Sequence, residues 1–327
     1  MEVLCCDQQS VPDLAQRRLG GPLISIVVTH YNYSDFVKDA LESLVNQTYK
    51  NWECVVVDDA SQPRHPTNLE TIISGFADER IRLHCHSTNM GQVPSFFTGV
   101  SKTTGDFVCL LDPDDRYAST FLEDALTTHL DAGILCPLVS TDQILATKRG
   151  VIGSGLRANF RIATARPVGN YFELEPSQQP RVFYIPAKVP GWHWTSTTAL
   201  MFRRAALNYL RPHKPLAYKG CADGYLAQGA HVLGGTLFLQ KPLVFRTLHE
   251  KNSWISDEIF SSFQDKQRPG AHQWAAHAYK DALDAISANG APCIVPKAIE
   301  HKTLEFRQTN PRHHMRRWKR SIMKRIA

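Results

Sequence analysis

Strand-like and helix-like segments alternate along this 327-residue chain, which predicts an α/β protein with a mostly parallel sheet and flanking helices. Three observations carry that expectation. Compact β-branched and apolar runs recur at residues 23–29, 52–59, 81–86 and 106–111. Segments of about ten residues with helical apolar spacing separate them. Strands alternating with such helices mean βαβ units and a sheet covered on both faces. A composition of 43% hydrophobic and 21% charged residues suits a sizeable globular core.

In order, LISIVVT is the first strand, and SDFVKDALESLVNQT the first helix, with Phe36, Ala40, Leu41, Leu44 and Val45 on one face behind Ser34 as N-cap. WECVVVDD is the second strand, ending on Asp58 and Asp59. A helix around NLETIISGF, a strand IRLHCH, a helix around SFFTGVSKT and a strand DFVCLL follow. Residues 148–196 are turn-rich; TTALMFR reads as a later strand, CADGYLAQGAHVLG as a helix and GTLFLQKPLVFRTL as a long or bent strand. HQWAAHAYKDALDAISANG is a helix closed by a glycine.

No apolar run approaches the roughly 18 residues of a membrane-spanning helix, and MEVLCCDQQS lacks the layout of a secretory signal, so a cytoplasmic protein is expected. The eight cysteines form no CxxC pair and sit largely in strand-like runs, as buried free thiols do. His84-Cys85-His86 on a strand points successive side chains to opposite faces, which disfavours one shared ion. The net charge of +6 is local: residues 311–327 hold seven Lys or Arg and no acid, and removing them leaves −1. The body therefore carries no nucleic-acid footprint.

In a parallel sheet, ligands collect outside the carboxyl ends of the strands. Thr29, Tyr31 and Asn32, then Asp58 and Asp59, then Asp112, Asp114 and Asp115 all fall on that edge. Two carboxylates about 5 Å apart repel by roughly 3 kcal/mol at an effective dielectric near 20. A hard divalent cation, Mn²⁺ or Mg²⁺, relieves this and brings phosphate oxygens with it. A turn with a helix cap also suits Asp-Pro-Asp-Asp.

The stretch ISIVVTHYNYSDFVKDALESLVNQTYKNWECVVVDDAS, followed by GDFVCLLDPDD, resembles the nucleotide-sugar domain of family 2 inverting glycosyltransferases, which have the GT-A fold, a Rossmann-like α/β arrangement. The resemblance is strong over residues 22–128 and continues to about 255. It implies a nucleotide-sugar half at 22–128 and an acceptor half at 129–255, after a lead-in at 1–21 and before a helical extension at 256–310 and a basic tail at 311–327. It implies that Thr29 and Tyr31 line the base pocket, that Asp59 accepts a hydrogen bond from a pyrimidine, and that Asp58 serves the same pocket. Asp112 and Asp114 match the family's DXD motif, Asp112 near the ribose and Asp114 on the metal, with Asp115 supporting them or capping a helix.

By the same resemblance, Asp223 in CADGYL is the general base on the acceptor hydroxyl, and His249 in LHEKNS reaches the metal or the diphosphate. An N-cap aspartate and a structural histidine are the plainer alternatives. The chain departs from the family at three places. Ala222 replaces the usual Glu, Gly229 stands where an Arg is usual six residues past the base, and Phe96 and Phe97 replace an Arg-Asn pair. Trp192 and Trp194 in GWHWTS offer aromatic faces to an acceptor sugar, or pack the loop.

In the tail, Met315, Trp318, Ile322 and Ile326 form an apolar stripe among Arg and Lys, the layout of a helix lying on an anionic membrane, or of one packed on its own domain. The expected protein is a metal-dependent transferase moving a sugar, UDP-linked, to a glycan or lipid-linked glycan, with peripheral membrane contact through 311–327. A non-catalytic sugar-nucleotide or glycan-binding module is the main rival. A nucleotidyltransferase is the other, although THYNYSD lacks the Gly and Lys of a phosphate loop.

Overall fold

A computed structural model describes residues 21–147, 150–154, 172–174, 182–189, 191–249, 252 and 271–291. The lead-in before residue 21, Lys251 and the tail 311–327 lie outside the described residues.

The first half builds as its periodicity predicts: β1 (Ile24–His30), α1 (Val37–Val45), β2 (Trp52–Asp58), α2 (Arg64–Phe76), β3 (Ile81–Cys85), α3 (Gln92–Ser101) and β4 (Phe107–Leu111). Then come β5 (Arg116–Tyr117), α4 (Phe121–Asp131), β6 (Leu138–Thr147), β7 (Gly150–Ser154), β8 (Phe172–Leu174) and β9 (Val182–Ile185). A 3-10 turn (Thr197–Ala199) leads into β10 (Leu200–Arg203), α5 (Arg204–Tyr209), α6 (Ala222–Gly234), β11 (Thr236–Thr247) and α7 (Ala271–Ala288).

The described strands form one sheet in the order β3-β2-β1-β4-β10-β6-β11-β9-β8, with β5 on β11 and β7 on β6. β3, β2, β1 and β4 are parallel, because helical crossovers join them. Beyond β4 the sheet is mixed: β10 runs antiparallel to both neighbours, and β6 with β11 is the further parallel pair. Residues 148–196, expected to be turns, contain the short strands β7, β8 and β9.

Both faces of the sheet are covered. On one, Ile24, Ile26, Val28, Cys54, Val56, Cys109 and Leu111 meet Leu41 and Leu44 of α1 and Phe121 and Leu122 of α4. On the other, Val27, Val55, Val108 and Leu110 meet Phe96, Phe97 and Val100 of α3, with Tyr225 and Leu226 of α6 and Ala278 and Ala282 of α7 beyond. Each fully buried Val, Leu, Ile or Phe contributes roughly 1.5–3 kcal/mol. Four cysteines, Cys54, Cys109, Cys136 and Cys221, are buried free thiols, whereas Cys85 is exposed.

Two local expectations are corrected. Ser34 does not cap α1: the helix starts at Val37 behind Phe36, and the Ser34 hydroxyl instead pairs with His65 Nδ1 at 2.7 Å. Asp115 caps no helix either, since α4 begins at Phe121 behind Thr120.

Candidate active site

Because β1, β2 and β4 are parallel and in register, their carboxyl ends open on one edge, with His30 beside Asp58. Two turns are stapled there. Asn32 donates its N–H to Ser61 Oγ at 2.8 Å and accepts the Gln62 N–H on Oδ1 at 2.9 Å. Asn32 (φ 62°) and Ala60 (φ 57°) sit in the left-handed region, which non-glycine residues adopt at a cost. Tyr31 is 47% exposed at the rim, and Thr29 is buried with its Oγ1 unpaired among the described residues.

Asp58 and Asp59 part ways. The Tyr33 N–H donates to His30 Nε2 at 3.1 Å, so Nδ1 carries the proton and donates to Asp58 Oδ1 at 2.7 Å. Ser61 donates to Asp58 through both Oγ–H and N–H. Burial pushes the Asp58 carboxyl up, but the His30 and Ser61 hydrogen bonds outweigh it and hold it below its usual range. Asp58 thus shapes the turn from inside. Asp59 Oδ1 accepts from His86 Nδ1 (2.9 Å) and the Met90 N–H (2.8 Å), and its Oδ2 from the Gly91 N–H (2.7 Å). Gly91, at φ 97°, has Lys219 Cα only 2.9 Å from where a Cβ would stand, so this approach needs glycine.

The acidic cluster separates by partner. Asp112 Oδ1 accepts from Gln92 Nε2 at 2.9 Å. Thr198 Oγ1 accepts the Asp112 N–H at 3.2 Å and donates to Asp115 Oδ2 at 2.7 Å, while Asp115 Oδ1 takes the Thr247 N–H at 3.0 Å. Asp115 therefore ties the 3-10 turn before β10, and the end of β11, to the cluster from behind. Asp114 Oδ2 accepts from His249 Nε2 and Asn252 Nδ2, each at 3.0 Å, and the His249 ring stacks on Phe36 at 4.3 Å. Asp223, in the first turn of α6, has a local partner in the Gly224 N–H at 2.8 Å. Cys221 before it stands at φ 66°.

Burial, then the charges of Asp115, Asp114 and Asp223, drive the Asp112 carboxyl well above its usual range. Burial and Asp114 push Asp115 up to about 7. Burial raises Asp223. Such a cluster is short of positive charge, which is what a divalent cation supplies. Among the described residues no three His, Cys, Asp or Glu form a ready-made metal cage. Asp114 with His249, and Asp112 alongside, suit a cation that takes few protein ligands and completes its shell with phosphate oxygens.

The structure thus gathers Asp112, Asp114, Asp115, Asp223 and His249 at one edge. Residue-level sequence reading missed Asn252, Gln92, Thr198 and His86 as partners of this cluster and of Asp59. The Asn of His-x-x-Asn was the one legible signal. Trp194 is corrected as a sugar platform: it is 1% exposed, with its ring against His231 at 5.7 Å and Trp192 at 5.2 Å. Trp192 keeps a partly open face. Phe96 and Phe97 are core residues, and a Cβ at Gly229 would meet Leu210 Cδ2 at 2.5 Å and Ala282 Cβ at 3.2 Å, so helix packing fills that place.

Comparison with known proteins gives a family match to glycosyl transferase family 2 over residues 25–208. An uncharacterized glycosyltransferase of Nostoc sp. is 22% identical over 290 residues, covering 87% of this chain and 83% of that protein. The UDP-Glc:alpha-D-GlcNAc-diphosphoundecaprenol beta-1,3-glucosyltransferase WfgD of Escherichia coli is 30% identical over 34% of this chain and 43% of its own length. Among solved structures, S. aureus TarS 1–349 in complex with UDP superposes at TM-score 0.57, with 16% identity over 89% of this chain and 73% of that one. Mannosyltransferase PcManGT from Pyrobaculum calidifontis, in complex with GDP-Man and Mn²⁺, gives 0.52, with 17% identity over 90% and 82%. These likenesses support the GT-A fold.

Proposed function

The chain belongs to glycosyl transferase family 2, and we propose that it moves a sugar from a UDP-linked donor to a glycan or lipid-linked glycan, inverting the anomeric centre, in the synthesis of a surface polysaccharide or glycoconjugate. The observation that carries this is the convergence, at one sheet edge, of Asp59 with its three donors, the Asp112, Asp114 and Asp115 cluster with His249, and the half-buried Asp223.

Asp59 is held by three donors and keeps one lone pair on Oδ2, which suits the N3–H of uracil and rejects cytosine, whose N3 has no proton. Tyr31 covers the base and Asp112 meets the ribose side. Asp114 and His249 would hold Mn²⁺ or Mg²⁺, which would supply positive charge against that developing on the departing diphosphate. Asp223, a stronger base than an exposed aspartate because burial disfavours its charged form, takes the proton of the acceptor hydroxyl as its oxygen attacks opposite the leaving group. Trp192 offers the acceptor ring a face. The printed substrate of WfgD supports a lipid-linked acceptor, and the tail 311–327 supports a membrane-surface location.

The rival is a binding module without turnover, favoured by the packed-over position at Gly229. A panel of nucleotide sugars, assayed with and without Mn²⁺, separates the two. The transferase releases nucleoside diphosphate only with metal and loses this in Asp114→Ala; binding with no release from any donor, acceptors included, means a module.

A further inference from the structure

We propose that Arg246 binds the donor's diphosphate, supplying the cationic grip that position 229 cannot provide. The proposal rests on the nucleotide-sugar reading above and assigns a residue to it.

Two arginines at the opposite, amino-end edge of the parallel strands show what a structurally committed guanidinium looks like. Arg203 donates from Nε to Cys136 O (3.1 Å) and from Nη2 to His129 O (2.8 Å). Arg204 donates to Gly105 O, Val100 O, Ser25 Oγ and Thr103 Oγ1. Both are saturated by the fold. Arg246 makes no ion pair and no side-chain hydrogen bond among the described residues, although it is partly buried beside the acidic cluster. Its charge nevertheless reaches Asp112, Asp115 and Asp223, the cation common to all three.

The backbone around it is pinned. Arg246 pairs with Leu145 in the β11–β6 ladder, the next N–H, that of Thr247, holds Asp115 Oδ1 at 3.0 Å, and the Leu248 N–H holds Ala146 O at 2.7 Å. His249, on Asp114, follows three residues later. A guanidinium anchored at its root, with none of its five N–H donors committed among the described residues, and set beside the phosphate-side carboxylates, has the planar fork that takes two phosphate oxygens at once. No side chain at 229 competes for the role, because Leu210 and Ala282 occupy its space. The charge balance also asks for it: four carboxylates and a diphosphate exceed what one divalent cation offsets.

Calorimetric titration of the full chain tests this with three probes: UDP in saturating Mn²⁺, GDP likewise, and uridine. Arg246→Gln is expected to weaken UDP about 10- to 100-fold, the loss of charge-assisted hydrogen bonds to phosphate, and to leave uridine affinity unchanged. Arg246→Lys, which keeps the charge and loses the fork, should fall between the two and serves alone if the Gln variant does not fold. UDP affinity equal to wild type in either folded variant overturns the assignment and reduces Arg246 to an offset for carboxylate repulsion. Equal weakening of UDP and uridine also overturns it, since that marks a distorted pocket. Wild-type protein that binds neither UDP nor GDP overturns both the assignment and the donor reading.

Discussion

Asp223 differs from its acidic neighbours in having only a local hydrogen bond, to the Gly224 N–H, so its basicity is available to a substrate proton. Asp223→Asn is expected to keep UDP affinity within about twofold while transfer falls 10²- to 10⁴-fold; binding and single-turnover measurements on one preparation check this. Partial burial of Asp223 places the acid limb of kcat/KM above the ordinary aspartate range, so activity rises with pH through that limb and a profile flat down to the usual carboxylate range contradicts the role. At Asp59 either amide orientation of Asp59→Asn sets an NH₂ against His86, Met90 or Gly91 donors, so UDP and uridine should both weaken, by about 1–3 kcal/mol. Part of this site was legible locally, because Asp59, Asp112 and Asp114 stand at the ends of apolar strand runs, whereas Asp223 and His249 were nominated only by the family resemblance. Gln92, Thr198 and Arg246 were not, since nothing local tells a reader that a residue in a later element will turn its side chain toward an aspartate far away in the chain.

The helix pair α6 and α7 fixes where Asp223 stands. Ala278, Ala282, Ala285 and Ile286 are all buried at that contact, and Gly229 lets the two helices meet. Gly229→Ala should cost roughly 1–3 kcal/mol by overpacking and lower kcat, because the shift moves the helix that carries Asp223. Urea unfolding alongside turnover checks both; a variant with wild-type stability would show that the contact yields freely. The helices and central strands were readable from periodicity because each is covered on one stripe or on both faces. β7, β8 and β9 were not, being three to five residues long and set in the antiparallel part, where apolar runs are too short to signal. Ser34 was misread for a related reason: a good capping residue was drawn instead to His65 across the turn.

At the scale of the molecule, two buried faces hold the carboxyl edge open, and two buried histidines make that core acid-sensitive. Burial pushes His129 and His231 down from 6.5 to about 3 in the folded state. Their neutral forms therefore support the fold above pH 6.5, and stability falls as pH drops from there toward 3, by about 2 kcal/mol per histidine at pH 5. Denaturation curves at pH 7 and 5 should show this, reduced in His129→Gln. Among the described residues no helix is long and apolar enough to cross a membrane, so the location proposed for the tail stands on liposome flotation, which deletion of residues 311–327 should abolish. The central claim, inverting transfer at the strand-end site, is tested most directly by following hydrolysis of an α-linked nucleotide sugar in Mg²⁺ by proton NMR. Inverting transfer makes the β anomer the first sugar released, with none released by Asp114→Ala; α anomer at first appearance rules inversion out.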